Sequence, residues 1–202
     1  RYDHTQIDVT DSTLDDRTYA ALNANIFAVY NVTETTNYFA GIGKSARVPD
    51  ARELYYAGSG NSELEDTKNY EADLGFQTTM GDFSLKTKVF YSELKDYIYN
   101  TGTFENIDAK IYGFDISGAY FATESISLDY GIAYQRGKKD GNHANKNLAE
   151  IPPLKANVGI NYAIANSELS AQVVAVDRWD SYDSSAKEQE LSGYALLNLK
   201  YN

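Results

Sequence analysis

Period-two alternation of apolar and polar residues recurs along this chain, in stretches about as long as a tilted strand needs to cross a bilayer. In one stretch Tyr70, Ala72, Leu74, Phe76 and Thr78 alternate with Asn69, Glu71, Asp73, Gly75 and Gln77. In the next, Phe83, Leu85, Thr87, Val89 and Tyr91 face one way, and Ser84, Lys86, Lys88 and Ser92 mostly face the other. Ile126 to Tyr134 and Leu154 to Tyr162 repeat the pattern, opposing Asp129 and Gln135, then Lys155, Asn157 and Asn161. Fainter versions cover 1–9, 18–32, 36–47, 110–121, 167–178 and 191–202, which gives about ten strands and no helical periodicity.

The connections alternate as well. Short turns are expected at 33–36, 80–82, 122–125 and 165–167, and long links at about 10–17, 48–66, 95–108, 136–152 and 179–190. Short turns on one side and long loops on the other are the asymmetry of outer-membrane barrels. Backbone in lipid must be hydrogen-bonded internally, and among sheets only a closed barrel achieves this. The polar faces, with Asn69, Glu71, Asp73, Lys86, Lys88, Asp115, Asp129 and Gln135, would then line a hydrated interior, since each would cost a few kcal/mol on a lipid face. The expected fold is all-β, an antiparallel transmembrane β-barrel segment with short periplasmic turns and long extracellular loops.

Composition agrees with this. Eighteen tyrosines stand against 8 Phe and 1 Trp in 202 residues; a ring with an apolar body and a wet tip suits a lipid–water interface. No stretch approaches the roughly 20 apolar residues of a membrane-spanning helix. The chain has no Cys, so thiolate metal sites and disulfides are excluded. A net charge of −11 argues against nucleic acid as a partner.

The run Tyr38-Phe39-Ala40-Gly41-Ile42-Gly43-Lys44-Ser45-Ala46-Arg47-Val48-Pro49-Asp50 resembles the barrel motif of TonB-dependent receptors, a glycine-bearing strand ending in Ser, Arg and Pro before a long loop. Further pieces follow in that family's order: Asn61 to Gly75, Ser84 to Ile98, Tyr112-Gly113-Phe114-Asp115, and Ile151-Pro152-Pro153-Leu154-Lys155-Ala156. Asp66 replaces the usual proline region. The resemblance implies that residues 1–202 are part of a single receptor barrel domain, about ten strands of a 22-stranded barrel, without the plug domain and the final strands. It also implies a place in the outer membrane of a Gram-negative bacterium, in contact with lipid and lipopolysaccharide, and partnership with its own plug and, through the plug, TonB. The implied activity is energised uptake of a scarce nutrient such as an iron-siderophore, haem or another metal complex, with no cofactor of the segment's own. A passive porin or adhesin barrel and a soluble β-sandwich are the alternatives.

Candidate substrate-binding residues cluster where strands meet loops. Arg47, Arg52, Glu53, Tyr55 and Tyr56 could grip an anionic or aromatic chelate through guanidinium contacts and ring stacking. Tyr97 and Tyr99 have the same potential, and His143 sits in the loop Asp140-Gly141-Asn142-His143. With two His and one Met in the chain, no compact metal site is expected. Asp177, Asp180 and Asp183 are read as a solvated strand end, with Trp179 as an interfacial anchor. Neither histidine has a nearby serine or paired acids set in a rigid strand-end frame, so no catalytic role is expected.

Overall fold

The computed structural model describes residues 1–11 and 14–202. They form eleven strands: β1 (Tyr2–Ile7), β2 (Arg17–Leu22), β3 (Ala24–Asn31), β4 (Thr36–Arg47), β5 (Thr67–Met80), β6 (Phe83–Asn100), β7 (Phe104–Phe121), β8 (Ile126–Lys139), β9 (Lys155–Ile164), β10 (Ser167–Val176) and β11 (Tyr194–Tyr201). A short helix α1 (Ala51–Tyr55) and a single 3-10 turn (Ser184–Ala186) lie in the long loops. No helix among the described residues is long and apolar enough to cross a membrane.

β3 to β11 pair in sequence order as one nine-stranded antiparallel sheet, and β1 and β2 form a separate hairpin. The strand expected over 18–32 is divided at Asn23: its upper part pairs with β1 and its lower part with β4. The amide of Asn23 donates to the carbonyl of Arg1, the last rung of the β1–β2 pairing before the chain passes to β4.

Register sorts side chains as the alternation requires. Ala28, Ala40, Leu74, Val89, Phe114 and Tyr134 form one row across six strands, and Tyr130, Val158, Val173 and Leu197 another, all on the apolar face. On that face Tyr70, Tyr91, Tyr112 and Tyr134 stand toward the loop end, and Tyr120, Tyr162 and Tyr201 toward the turn end, as two aromatic girdles would. One outward pair of polar side chains is matched across the strands. Thr36 and Thr78 bond hydroxyl to hydroxyl at 2.7 Å, so neither is orphaned in hydrocarbon.

The opposite face carries ion pairs and hydrogen bonds. Lys88 meets Asp73 at 3.0 Å, Ser92 donates to Asn69 and Glu71, and Asn161 donates to Asp129. Three phenylalanines also lie on this face, each directly opposite a glycine: Phe27 and Gly41, Phe39 and Gly75, Phe90 and Gly113. A Cβ on Gly75 would run into the Phe39 ring, so the ring occupies the space that glycine leaves. At Gly113 the added carbon would meet the Tyr134 carbonyl, which marks a close approach of two backbones.

The link expected at 95–108 is strand. β6 and β7 each run 18 residues, against the roughly 9–11 needed to cross the bilayer. They meet at a three-residue turn, with Gly102 at φ 125°. Their outer ends therefore project into water as a paired ribbon. The Asp, Asn and Gly content that resembles a loop is the ordinary composition of a solvated hairpin. β8 likewise continues to Lys139.

A β-bulge divides the ribbon from the membrane sheet. The pairing steps from Leu94↔Ala109 to Tyr97↔Ile107, so Lys95 and Asp96 oppose Asp108 alone. Asp96 adopts φ 54°, and its carbonyl accepts from Thr67 Oγ1 at 3.1 Å and Asn106 Nδ2 at 2.6 Å. One extra residue reverses the parity of everything beyond it. Tyr91 and Glu93 face outward, whereas Tyr97 and Tyr99 share the inner, polar face.

Candidate functional site at the outer mouth

The loops fold over the inner face of the projecting ribbon. Leu94, Tyr99, Ile107 and Ala109 from β6 and β7 are buried against Leu148, Ala149 and Ile151 of one loop and Trp179 of another. The first loop lies directly over Gly137, where a Cβ would touch both Leu148 and Ile151. On the opposite face, Ile98 packs against Leu54 and Leu64 of the 48–66 loop.

A buried ion pair pins the second loop. Lys139, on the inner face of β8, meets Asp183 at 2.5 Å, and the two side chains are 4% and 0% exposed. Asp183 also accepts from the Tyr99 hydroxyl at 2.5 Å, from Ser185 Oγ at 2.7 Å and from the Ser185 amide at 3.0 Å. The Ala149 amide donates to Tyr99 Oη at 3.0 Å, which ties the first loop to the same point. Burial alone would raise the Asp183 carboxyl, but its bonds to Lys139, Tyr99 and Ser185 hold it below the usual carboxylate range. Burial, and then the bond to Asp183, push the Tyr99 hydroxyl upward. Asp183 is thus not part of a solvated strand end, and Trp179, 8% exposed, belongs to this loop core and not to the lipid interface.

Between these loops and α1 a cleft of about 610 Å³ opens at the outer end of the sheet. It brings together Arg47, Arg52, Glu53, Tyr97 and Tyr99, and adds Glu150, Lys187 and Glu188. Arg47 is the last residue of β4, on the inner face, and donates twice to Glu53 at 2.8 and 2.9 Å. Glu53 is itself fixed by a capping box with Asp50 that starts α1. The Glu53 carboxylate raises the Arg47 guanidinium further above its usual value, against the opposing effect of burial. Burial, with Glu150 next, raises the Tyr97 hydroxyl, so it stays a neutral donor.

Tyr55, Tyr56 and His143 do not line this cleft. Tyr55 donates to the Asp15 carbonyl at 2.8 Å. Tyr56 lies under the Arg52 guanidinium, 5.4 Å from ring centre to Cζ. His143 borders a separate recess of about 240 Å³ with Tyr99, Lys139 and Ser185. Tyr99 is held by its two bonds and serves mainly to shape the cleft, which leaves Tyr97 as the ring that a bound molecule could stack on.

Glu150, Lys187 and Glu188 have no signature in sequence. Glu188 accepts from the amides of Glu150 and Asp183 at 2.8 and 2.7 Å, a contact 38 residues long that no local pattern announces. Of the four non-glycine residues with positive φ among the described residues, three are Asp96, Glu150 and Lys187, at the bulge and the cleft wall. Backbone held in that region against its preference concentrates at functional sites. Among the described residues Arg52 and Lys187 have no carboxylate within ion-pair distance, so two cations remain available to a ligand. No group of three or more potential metal ligands occurs among the described residues.

A one-faced antiparallel sheet with short turns, long folded loops and a charged outer cleft describes one wall of a receptor barrel. The family model for "TonB dependent receptor-like, beta-barrel" matches residues 1–202. The chain belongs to this family. The vitamin B12 transporter BtuB of Photobacterium profundum is 28% identical over 199 residues, covering 92% of this chain and 32% of the transporter. Among solved structures, the copper transporter OprC superposes with a TM-score of 0.84 at 20% identity, covering 93% of this chain and 31% of that one. The FrpB iron transporter of Neisseria meningitidis (F3-3 variant) gives 0.79 at 16% identity, covering 100% and 34%. The chain therefore spans about a third of the length of the relatives it matches. It is a β-barrel segment of the bacterial outer membrane, and its relatives are transporters and receptors, not enzymes.

Proposed function

We propose that the parent barrel is an active-transport receptor for a scarce nutrient carried as a metal complex, such as an iron-siderophore, haem or another chelate, and is energised through a plug and TonB. The observation that carries this reading is the outer cleft, which Arg52 and Lys187 line together with Tyr97 and where, among the described residues, neither cation has a carboxylate within ion-pair distance. An anionic or aromatic chelate would be held there by charge-assisted bonds and stacking, and passed along a polar inner face. The transport named for BtuB, OprC and FrpB supports metal complexes as the class.

The test is ligand-induced fluorescence quenching of the full-length receptor against a panel of ferric siderophores, haem and cobalamin, paired with uptake in cells with and without TonB. One chelate should saturate the receptor, and its uptake should require TonB. Arg52→Ala combined with Lys187→Ala should weaken binding by about tenfold or more, the scale of a lost charged hydrogen bond. Uptake that is equal without TonB would make the barrel a passive pore.

A further inference from the structure

The apolar face changes character at its upper edge. On β8, Ile126 and Arg136 both face outward and are ten residues apart; at roughly 3.3 Å per residue that is roughly 33 Å along the strand. With strands tilted roughly 35–45°, the height is roughly 25 Å, the thickness of a barrel's apolar band. Arg136, paired with Tyr112, thus stands at the outer girdle and Lys138 just above it, at the level of outer-leaflet headgroups.

Three other lysines near this level are matched by carboxylates, and the outward Lys44 lies over the Tyr70 ring. Lys68 meets Asp96 at 3.0 Å, Lys95 meets Asp108 at 2.9 Å, and Lys110 meets Asp140 at 2.7 Å. Arg136 and Lys138 are held differently. Among the described residues neither has a carboxylate within ion-pair distance, and both donate to one neutral acceptor, Asn147 Oδ1, at 3.2 and 2.7 Å. Asn147 is held beside them because residue 138 bridges residue 147 along the upper edge of β8 and because its amide donates to the Tyr182 carbonyl at 3.1 Å. Two cations on one amide oxygen leave most of their donors unused. In a chain of net charge −11, this pair has no counterion from the described residues.

We propose that Arg136, Lys138 and Asn147 form a binding site for a phosphate of an outer-leaflet lipid, namely the phosphorylated headgroup of lipopolysaccharide. The guanidinium and the ammonium would both donate to the phosphate oxygens. Tyr112, directly opposite Arg136 on β7, and Tyr134, one row nearer the membrane, would lie against the headgroup and upper acyl region. The site is independent of the transported nutrient, since it lies on the face opposite to the cleft.

The test is native mass spectrometry of the full-length receptor in detergent, titrated with bis-phosphorylated lipid A, with chemically dephosphorylated lipid A and with inorganic phosphate. Arg136→Gln combined with Lys138→Gln should raise the lipid A concentration for half-saturation at least tenfold, while Lys110→Gln, whose parent lysine is already paired, should change it little. The native receptor should bind dephosphorylated lipid A no better than the double variant binds the intact lipid. If heat-modifiable mobility shows that the double variant does not insert, each single variant replaces it, with a loss of about threefold expected. Unchanged binding by the variants, or equal binding of dephosphorylated lipid, would overturn the site. Competition by inorganic phosphate at matched concentration would overturn its assignment to a lipid.

Discussion

Asp183 shows how one side chain can hold two loops closed. It accepts from Lys139, Tyr99 and Ser185, and Tyr99 in turn accepts from Ala149, so loops 140–154 and 177–193 meet at a single carboxylate. Removing the charge strands a buried ammonium, which costs about 3–5 kcal/mol for a pair of this kind. Asp183→Asn should therefore release both loops, seen as loss of amide-exchange protection in 140–154 and 177–193, while strands β4, β5 and β9 keep theirs. The pH dependence follows from the direction of the shift. The folded carboxyl lies below its ordinary value of 3.8, so its contribution is complete above that value and disappears as pH falls through the folded one. Loop protection should be flat from neutral pH to about 5 and should fall only in stronger acid, below the ordinary carboxyl range. A loss already complete at pH 5 would show that another group controls the closure.

The bulge in β6 decides which elements can reach the cleft. With simple alternation continued from Tyr91, Tyr97 and Tyr99 would point outward, away from Asp183 and Arg47. The extra residue at Asp96 turns them inward, and Thr67, Asn106 and Asp108 supply the bonds that its distorted backbone needs. Inserting one residue beside Asp108 in β7, opposite the bulge, should return the ribbon to regular pairing, move Tyr99 to the outer face and abolish loop protection, whereas Asp96→Gly, which accepts φ 54° without strain, should keep it. Amide exchange on the two variants separates these outcomes. The same bulge marks the limit of what the sequence makes legible. β5, the membrane part of β6, and β8 to β10 follow from alternation, because a lipid face and a wet face impose it at every step. Beyond the membrane both faces are wet, the constraint ends, and the ribbon at 95–108 resembles a loop. Part of the cleft was legible for a local reason: Arg47, Arg52 and Glu53 lie within one cap and one helical turn. Lys187 and Glu188 reach it only through folding of a distant loop, and Lys139 and Asp183 find each other across 44 residues.

At the scale of the whole sheet, the two faces experience different solvents, and adjacent residues of one strand can report this. Val173 and Gln172 are neighbours in the middle of β10, both paired on either side to β9 and β11. Val173 shares its row with Tyr130, Val158 and Leu197, whereas Gln172 shares its row with Asp129, Gly159 and Asn198. Val173 stands roughly 20 Å along the strand from Ser167, which on a tilted strand is near the middle of the apolar band. An arginine there meets hydrocarbon; one residue earlier it meets water and the Asp129 carboxylate. Val173→Arg should therefore cost about 2–4 kcal/mol in unfolding free energy measured in lipid vesicles, and Gln172→Arg less than about 1 kcal/mol, the scale of an ordinary surface substitution. The contrast should shrink in a short-chain detergent, where the arginine can reach water more easily. Equal costs at the two positions would mean that the sheet does not separate lipid from lumen, and the assignment of its faces would have to be reversed or abandoned.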